Sequence, residues 1–179
     1  MHFQAIIKFW FNDIVSPKWW VKDRAFDALI TDRYSDIHRQ ACRCELSHWR
    51  NDSLGRLAEI LIIDQFSRNI YRNSPAAFAH DSLALALSQE AVNQGIDADM
   101  DGDQKAFLYM PYMHSESLAI HDMAIKLFAV PGLGSSLAYE KQHREIIVKF
   151  GRYPHRNNIL NRQSTDSERE FLLQPGSSF

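Results

Sequence analysis

Apolar residues recur at helical spacing along nearly the whole chain. Phe3, Ile6, Ile7, Trp10 and Phe11 fall at i, i+3, i+4, i+7 and i+8, one face of an amphipathic helix. Ser16-Pro17 reads as an N-cap with a first-turn proline, or as a turn. Phe26, Leu29 and Ile30 resume the spacing behind Asp23, a suitable cap, and a third short helix is expected from Ser35 through Cys44. Trp49 then falls in a loop or at a helix end. Asp52-Ser53 opens the most apolar helix, Leu54 to about Tyr71, in which Leu57, Ala58, Ile60, Leu61, Ile62, Ile63 and Phe66 surround the axis. A helix that is apolar on all sides is central and buried. Ser74-Pro75 starts a helix that runs to Gln94 and stops at Gly95. A short helix from Asp103 to Tyr109 is expected to end near Pro111. The next runs from about Ser115 to Ala129, with Leu118, His121, Ile125 and Phe128 on its apolar face. Ser135 or Ser136 caps a helix ending at Gly151, with Tyr139, His143, Ile146, Ile147 and Phe150 facing inward. Thr165-Asp166-Ser167-Glu168 is a capping box for a last short helix packed through Phe171 and Leu172. No apolar/polar alternation bounded by hairpin turns predicts a strand. The expected fold is all-α, one domain over 1–179, with about eight helices joined by short turns.

A chain of 179 residues buries roughly 70% of its unfolded surface, so it folds without staples. Its 45% hydrophobic and 23% charged residues fit a soluble globular protein, and 12% aromatics predict a bulky core. A net charge of −2 argues against a general binder of nucleic acid or of anionic membranes. Cys42 and Cys44 are poorly spaced for a relaxed disulfide and too few for a zinc site, as expected of reduced thiols in the cytoplasm. Met1 to Phe11 lacks a basic n-region and a small-residue cleavage site, and no apolar run approaches the ~20 residues of a membrane span. The expected location is cytoplasmic.

One stretch, Phe150 to Arg162, breaks the helical pattern. It carries Arg152, His155, Arg156 and Arg162 and no acid, and Gly151 and Pro154 forbid a continuous helix. Tyr153, Ile159 and Leu160 make it too apolar for a loose linker. An ordered basic segment needs acidic partners or an anionic ligand. It reads either as a strap satisfied by helix carbonyls and by acids such as Asp64 and Glu116, or as an anion cradle of Arg152, His155 and Arg156 with Arg68.

Upstream, Asp64 and Arg68 lie at i and i+4 on the central helix, with Gln65 and Asn69 beside them. Charges there must be paired or line a wet cavity, because burying one alone is expensive. Arg68 either forms a structural ion pair with Asp64 or faces a cavity and binds an anion through its planar fork, with Asp64 orienting it. In His114-Ser115-Glu116, Ser115 and Glu116 read as a cap and a first-turn acid, while His114 is also a candidate general base. No nucleophile-elbow pattern surrounds Ser115. His143 is either a hydrogen-bonded core histidine or a neighbour of the same cavity. His114, His121, His143 and His155 show no metal-ligand spacing, so no metal site is assigned, and the residues specify no cofactor.

Four stretches resemble an uncharacterised bacterial family catalogued as a domain of unknown function. They are Phe9-Trp10-Phe11, the run from Gly55 to Arg72, Pro111 to Glu116, and Phe150 to Asn157. The resemblance spans nearly the whole chain. It implies an α–α superhelix similar to tetratricopeptide-like (TPR-like) proteins and no established activity. Two positions depart from the family pattern: His121 stands in place of Gln, and Asn161 in place of Gly at the turn before Arg162.

These readings converge on a pocket where the central helix, the His114 turn and the basic segment meet. It would bind a small anionic metabolite, with or without hydrolytic chemistry. His114, His155 and Glu116 are the candidates for moving protons. Asp64, Gln65, Arg68, Asn69, His143, Arg152, Arg156 and Asn157 are the candidates for holding the ligand. The alternative is a TPR-like module that grips an acidic peptide, with the polar cluster purely structural. Neither nucleic acid nor membrane is expected as a partner.

Overall fold

The computed structural model of the chain describes residues 1–14 and 16–178. Its helices are α1 (Phe3–Lys8), α2 (Arg24–Cys42), α3 (Ser53–Leu61), α4 (Ser67–Ile70), α5 (Asp81–Asn93), α6 (Gly102–Met113), α7 (Leu118–Phe128), α8 (Gly134–Phe150) and α9 (Asp166–Leu172). A π turn, Ile62–Phe66, joins α3 to α4, so 53–70 is one interrupted helix and the described residues form eight helices and no strand. A second π turn, Phe9–Asp13, extends α1. None of the helices is long and apolar enough to cross a membrane.

The 53–70 helix is the centre of the molecule. Leu57, Ala58, Ile60, Leu61, Ile62, Ile63 and Phe66 are all buried, and α1, α2, α5 and α6 pack around them. The bulky core foreseen from the aromatics is a chain of ring contacts linking Phe9, Trp10, Tyr34, Phe66 and Phe107. Asp52 caps α3 by accepting from the amides of Leu54 and Gly55. Gly55 is required by close approach: a Cβ there would lie 2.1 Å from the Trp49 carbonyl oxygen. Beyond the main core α6, α7 and α8 pack in succession, and a smaller cluster of Ile146, Ile147 and Tyr153 seats the basic segment. Gly151 ends α8 in the left-handed region at φ 68°.

Several expected boundaries move. The separate helices around Phe26 and Ser35 are one 19-residue helix, α2, capped by Asp23. Ser35 does not cap; its hydroxyl donates to the Thr31 carbonyl one turn back. The helix expected from Pro75 to Gln94 splits into a 3-10 turn, Pro75–Phe78, and α5. The Ala77 carbonyl at that break accepts from Arg68 instead of continuing a helical ladder. Helix α6 runs through Pro111 to Met113; the proline has no amide to donate to the Phe107 carbonyl, so the helix forgoes that one bond near its end. Helix α7 begins at Leu118, so His114 is the C-cap of α6 and not part of α7. Leu29, Leu118 and Tyr139 are exposed rather than inward, and Glu140 takes the buried place beside His143. The cap expected from the Ser16 side chain lies outside the described residues.

Candidate functional site

The π turn Ile62–Phe66 widens the central helix where Asp64 and Gln65 sit, a local irregularity frequent at functional sites. Asp64 is 1% exposed, and its Oδ1 lies 2.7 Å from His114 Nδ1. Its Oδ2 accepts from Gln65 Nε2 at 2.6 Å, and Arg68 stands 3.9 Å away. Burial pushes this carboxyl up, but His114 foremost, then Arg68 and Gln65, outweigh it and hold the pKa at about 2. An ionised carboxylate only accepts, so His114 Nδ1 donates and the tautomer is set. Nε2 is then the nitrogen available to the pocket that His114 lines.

That pocket has a volume of about 310 Å³. Pro75, Phe78, Leu85, Pro111 and Leu160 form its apolar wall; Asp81, His114, Ser115, Glu116 and Arg156 form the polar one. The first turn of α5 opens onto it through Asp81, and no side chain caps that helix start. Arg68 and Arg156 both stack on the Phe78 ring, 4.7 and 4.6 Å from its centroid. Both also depend on the one carboxylate of Asp81. Arg68 Nη2 reaches its two oxygens at 2.8 and 2.9 Å, leaving Arg156 Nη1 a longer contact of 3.3 Å. Arg156 is 7% exposed, and its Nε has no hydrogen-bond partner among the described residues. Burial first, then the neighbouring Arg68, depresses its pKa.

The rest of the basic segment is well paired. Glu116 receives Arg162 bidentately at 2.6 and 2.9 Å and the Tyr153 amide at 2.7 Å. Burial pushes the Glu116 carboxyl up, but Arg162 and that amide bring it below its ordinary value. Arg152 binds Glu168 bidentately at 2.6 and 2.8 Å, and Asn157 bridges Arg162 and Ser164. Asn161 adopts φ 53°, so the turn expected to need glycine forms with asparagine, and the Arg162 amide donates to the Asn157 carbonyl at 2.8 Å.

Beneath the pocket wall lies a buried polar cluster. His121 donates from Nε2 to the Ser115 carbonyl at 2.8 Å and meets Glu140 through Nδ1 at 2.7 Å. Burial raises the Glu140 carboxyl despite His121. The Tyr153 hydroxyl donates to the Met113 carbonyl at 2.6 Å, and His143 Nδ1 donates to the Tyr139 carbonyl at 2.8 Å. Burial pushes both His143 and His155 down to about 3, so both imidazoles are neutral near pH 7.

The structure therefore brings Asp64, Gln65, Arg68, His114, Glu116 and Arg156 to one place. It puts the other expected site residues elsewhere. Asn69 donates to Asp27 on α2, where Arg72 also binds. His143 lies in the buried cluster and His155 packs against the Tyr153 ring, neither lining the pocket. Arg152 and Asn157 tie the segment to α9 and to itself. Of the pocket residues that went unforeseen, two bear directly on the arginines. Asp81 lies 75 residues from the Arg156 it binds, and Phe78 looked like one more helical apolar position.

An all-α chain with this irregular central helix and basic segment defines the class, and residues 6–176 place it. The chain belongs to a family of bacterial proteins of unknown function, DUF924. It is similar to a solved protein of unknown function, ATU0120 from Agrobacterium tumefaciens: 38% identical, with 96% of each chain covered and a TM-score of 0.91. No curated protein matches it.

Proposed function

We propose that this pocket binds a small anionic ligand, with His114 and Asp64 as the pair that gives a proton to it or takes one from it. One observation carries the reading: two guanidiniums share a single carboxylate, and the more deeply buried, Arg156, is the less satisfied. Buried charges are normally paired in full. A carboxylate or phosphate oxygen that met a terminal nitrogen of Arg156 would give this guanidinium the closer anionic partner that its 3.3 Å contact with Asp81 does not supply. His114, locked by Asp64, presents Nε2 to the same space. The succession α6, α7, α8 supports, within the same proposal, a TPR-like superhelix, and the free thiols of Cys42 and Cys44 fit a cytoplasmic location.

The test is a thermal-shift screen of anionic metabolites on the wild type and on Arg156→Met. Ligand at a hundred times its Kd stabilises by about 2.7 kcal/mol, roughly 5–10 °C in Tm for a domain of this size. A shift seen in the wild type and lost in Arg156→Met supports the reading. No shift with any anion rejects it, and a partner captured through an acidic C-terminus by the same arginine would favour the peptide-binding alternative.

A further inference from the structure

We infer that the ligand is a compact monocarboxylate with a short apolar body, taken up together with one proton on His114. The inference rests on the pocket reading above and narrows it by charge and by shape.

The charge argument comes first. Three guanidiniums, Arg68, Arg156 and Arg162, meet three carboxylates, Asp64, Asp81 and Glu116, so the fixed charges cancel. His114 is the remaining ionisable side chain on the pocket wall. Its Nδ1–H is committed to Asp64, so Nε2 can donate to an anion only when the ring carries both protons. One negative charge entering with one proton leaves the pocket neutral. A dianion would leave an uncompensated negative charge beside Asp81 and Glu116. The other charged or titratable groups around the His114 ring are Asp64 and Arg68 from the central helix, Glu140 and His143 from α8, and Glu116 and Arg156 from the pocket wall.

Shape supplies the rest. Apart from the polar residues already named, the pocket wall is apolar except for the Ser82 hydroxyl, and it offers no further cation to receive a second charged group. At about 310 Å³ the pocket is at the small end of ligand clefts, which run from roughly 300 to 1,000 Å³. A carboxylate held by Arg156 and His114 would lay a few carbons along that wall. Each buried methylene is worth about 0.8 kcal/mol, about fourfold in affinity.

Isothermal titration of the full chain tests this. The probes are straight-chain monocarboxylates from acetate to hexanoate, with succinate, glutarate and butyl phosphate, each in two buffers of different ionisation enthalpy. Affinity is expected to rise about fourfold per methylene until the pocket is full. The buffer dependence should show net proton uptake on binding, and His114→Gln should abolish it. Tighter binding of glutarate or butyl phosphate than of pentanoate, or wild-type binding with no proton uptake at any pH, overturns the monocarboxylate inference but leaves the anion pocket standing. If none of these anions binds the wild type, both readings fall.

Discussion

Replacing Arg156 with methionine separates a binding site from a structural strut. Methionine keeps an unbranched stem and removes the charge. What is lost can be taken from the geometry. The Asp81 contact, at 3.3 Å, is the longest of those Asp81 accepts, and Arg68 continues to hold both its oxygens. The stacking on Phe78 and Tyr153 is worth about 0.5–2 kcal/mol per ring. What is relieved is of the same size. A buried donor without a partner costs about 1–3 kcal/mol, and the repulsion from Arg68 that helps depress the Arg156 pKa disappears. Arg156→Met should therefore lie within about 1 kcal/mol of the wild type, whereas truncating one member of a well-formed buried ion pair costs about 3–5 kcal/mol. Urea unfolding followed by far-UV circular dichroism measures the difference. A loss above about 3 kcal/mol with an unchanged m-value would refute the reasoning, because Arg156 would then be holding the fold together.

Other variants probe the surrounding parts. Asp64 has a folded pKa of about 2 against an ordinary 3.8, so it contributes about 2 kcal/mol that is fully present above pH 3.8 and is lost as pH falls through about 2. Urea midpoints measured across that window should fall more steeply for the wild type than for Asp64→Asn. Arg162→Met leaves Glu116 with the Tyr153 amide as its remaining partner and should cost about 2–3 kcal/mol, read as a lowered Tm; an unchanged Tm would mean that this pair does not hold the segment. Gly55→Ala places a methyl 2.1 Å from the Trp49 carbonyl oxygen, so the backbones must separate at a cost of about 1–3 kcal/mol or more, with a correspondingly lower urea midpoint.

The all-α class, the central helix, the basic segment and the final capping box were legible because each is written in local spacing. The apolar run from Leu57 to Phe66 names a buried helix, and Thr165 with Glu168 names a helix start. The π turn was not legible, since a run apolar on every side reads the same with or without an extra residue in one turn. The split after Phe78 was hidden for a different reason. Pro75 to Gln94 has good helical content, and the break is stabilised from outside, by an arginine on the previous helix. Within the site, Asp64 and Arg68 advertised themselves as charges on an apolar face. The central helix and the His114 turn were expected in one pocket, but the partner of Arg156 was not foreseen, because nothing in the sequence couples Arg156 to Asp81, 75 residues away.

Held against one another, the arginines of the basic segment differ in a way that bears on its purpose. Arg152 and Arg162, near its two ends, each meet a carboxylate through two short hydrogen bonds. Arg156, between them, is the most buried and the least satisfied. A strap would gain by the opposite arrangement, with an apolar side chain at the buried middle, because a well-packed hydrophobic residue is often more stabilising there than a charge. Firm anchors on either side allow the fold to carry a costly guanidinium in the middle, held stiffly against Phe78 and facing the pocket. Unfavourable local arrangements persist where the surroundings over-determine them, and they cluster at binding sites. The uneven pairing of these three arginines thus favours a pocket that a clasp supports over a clasp alone.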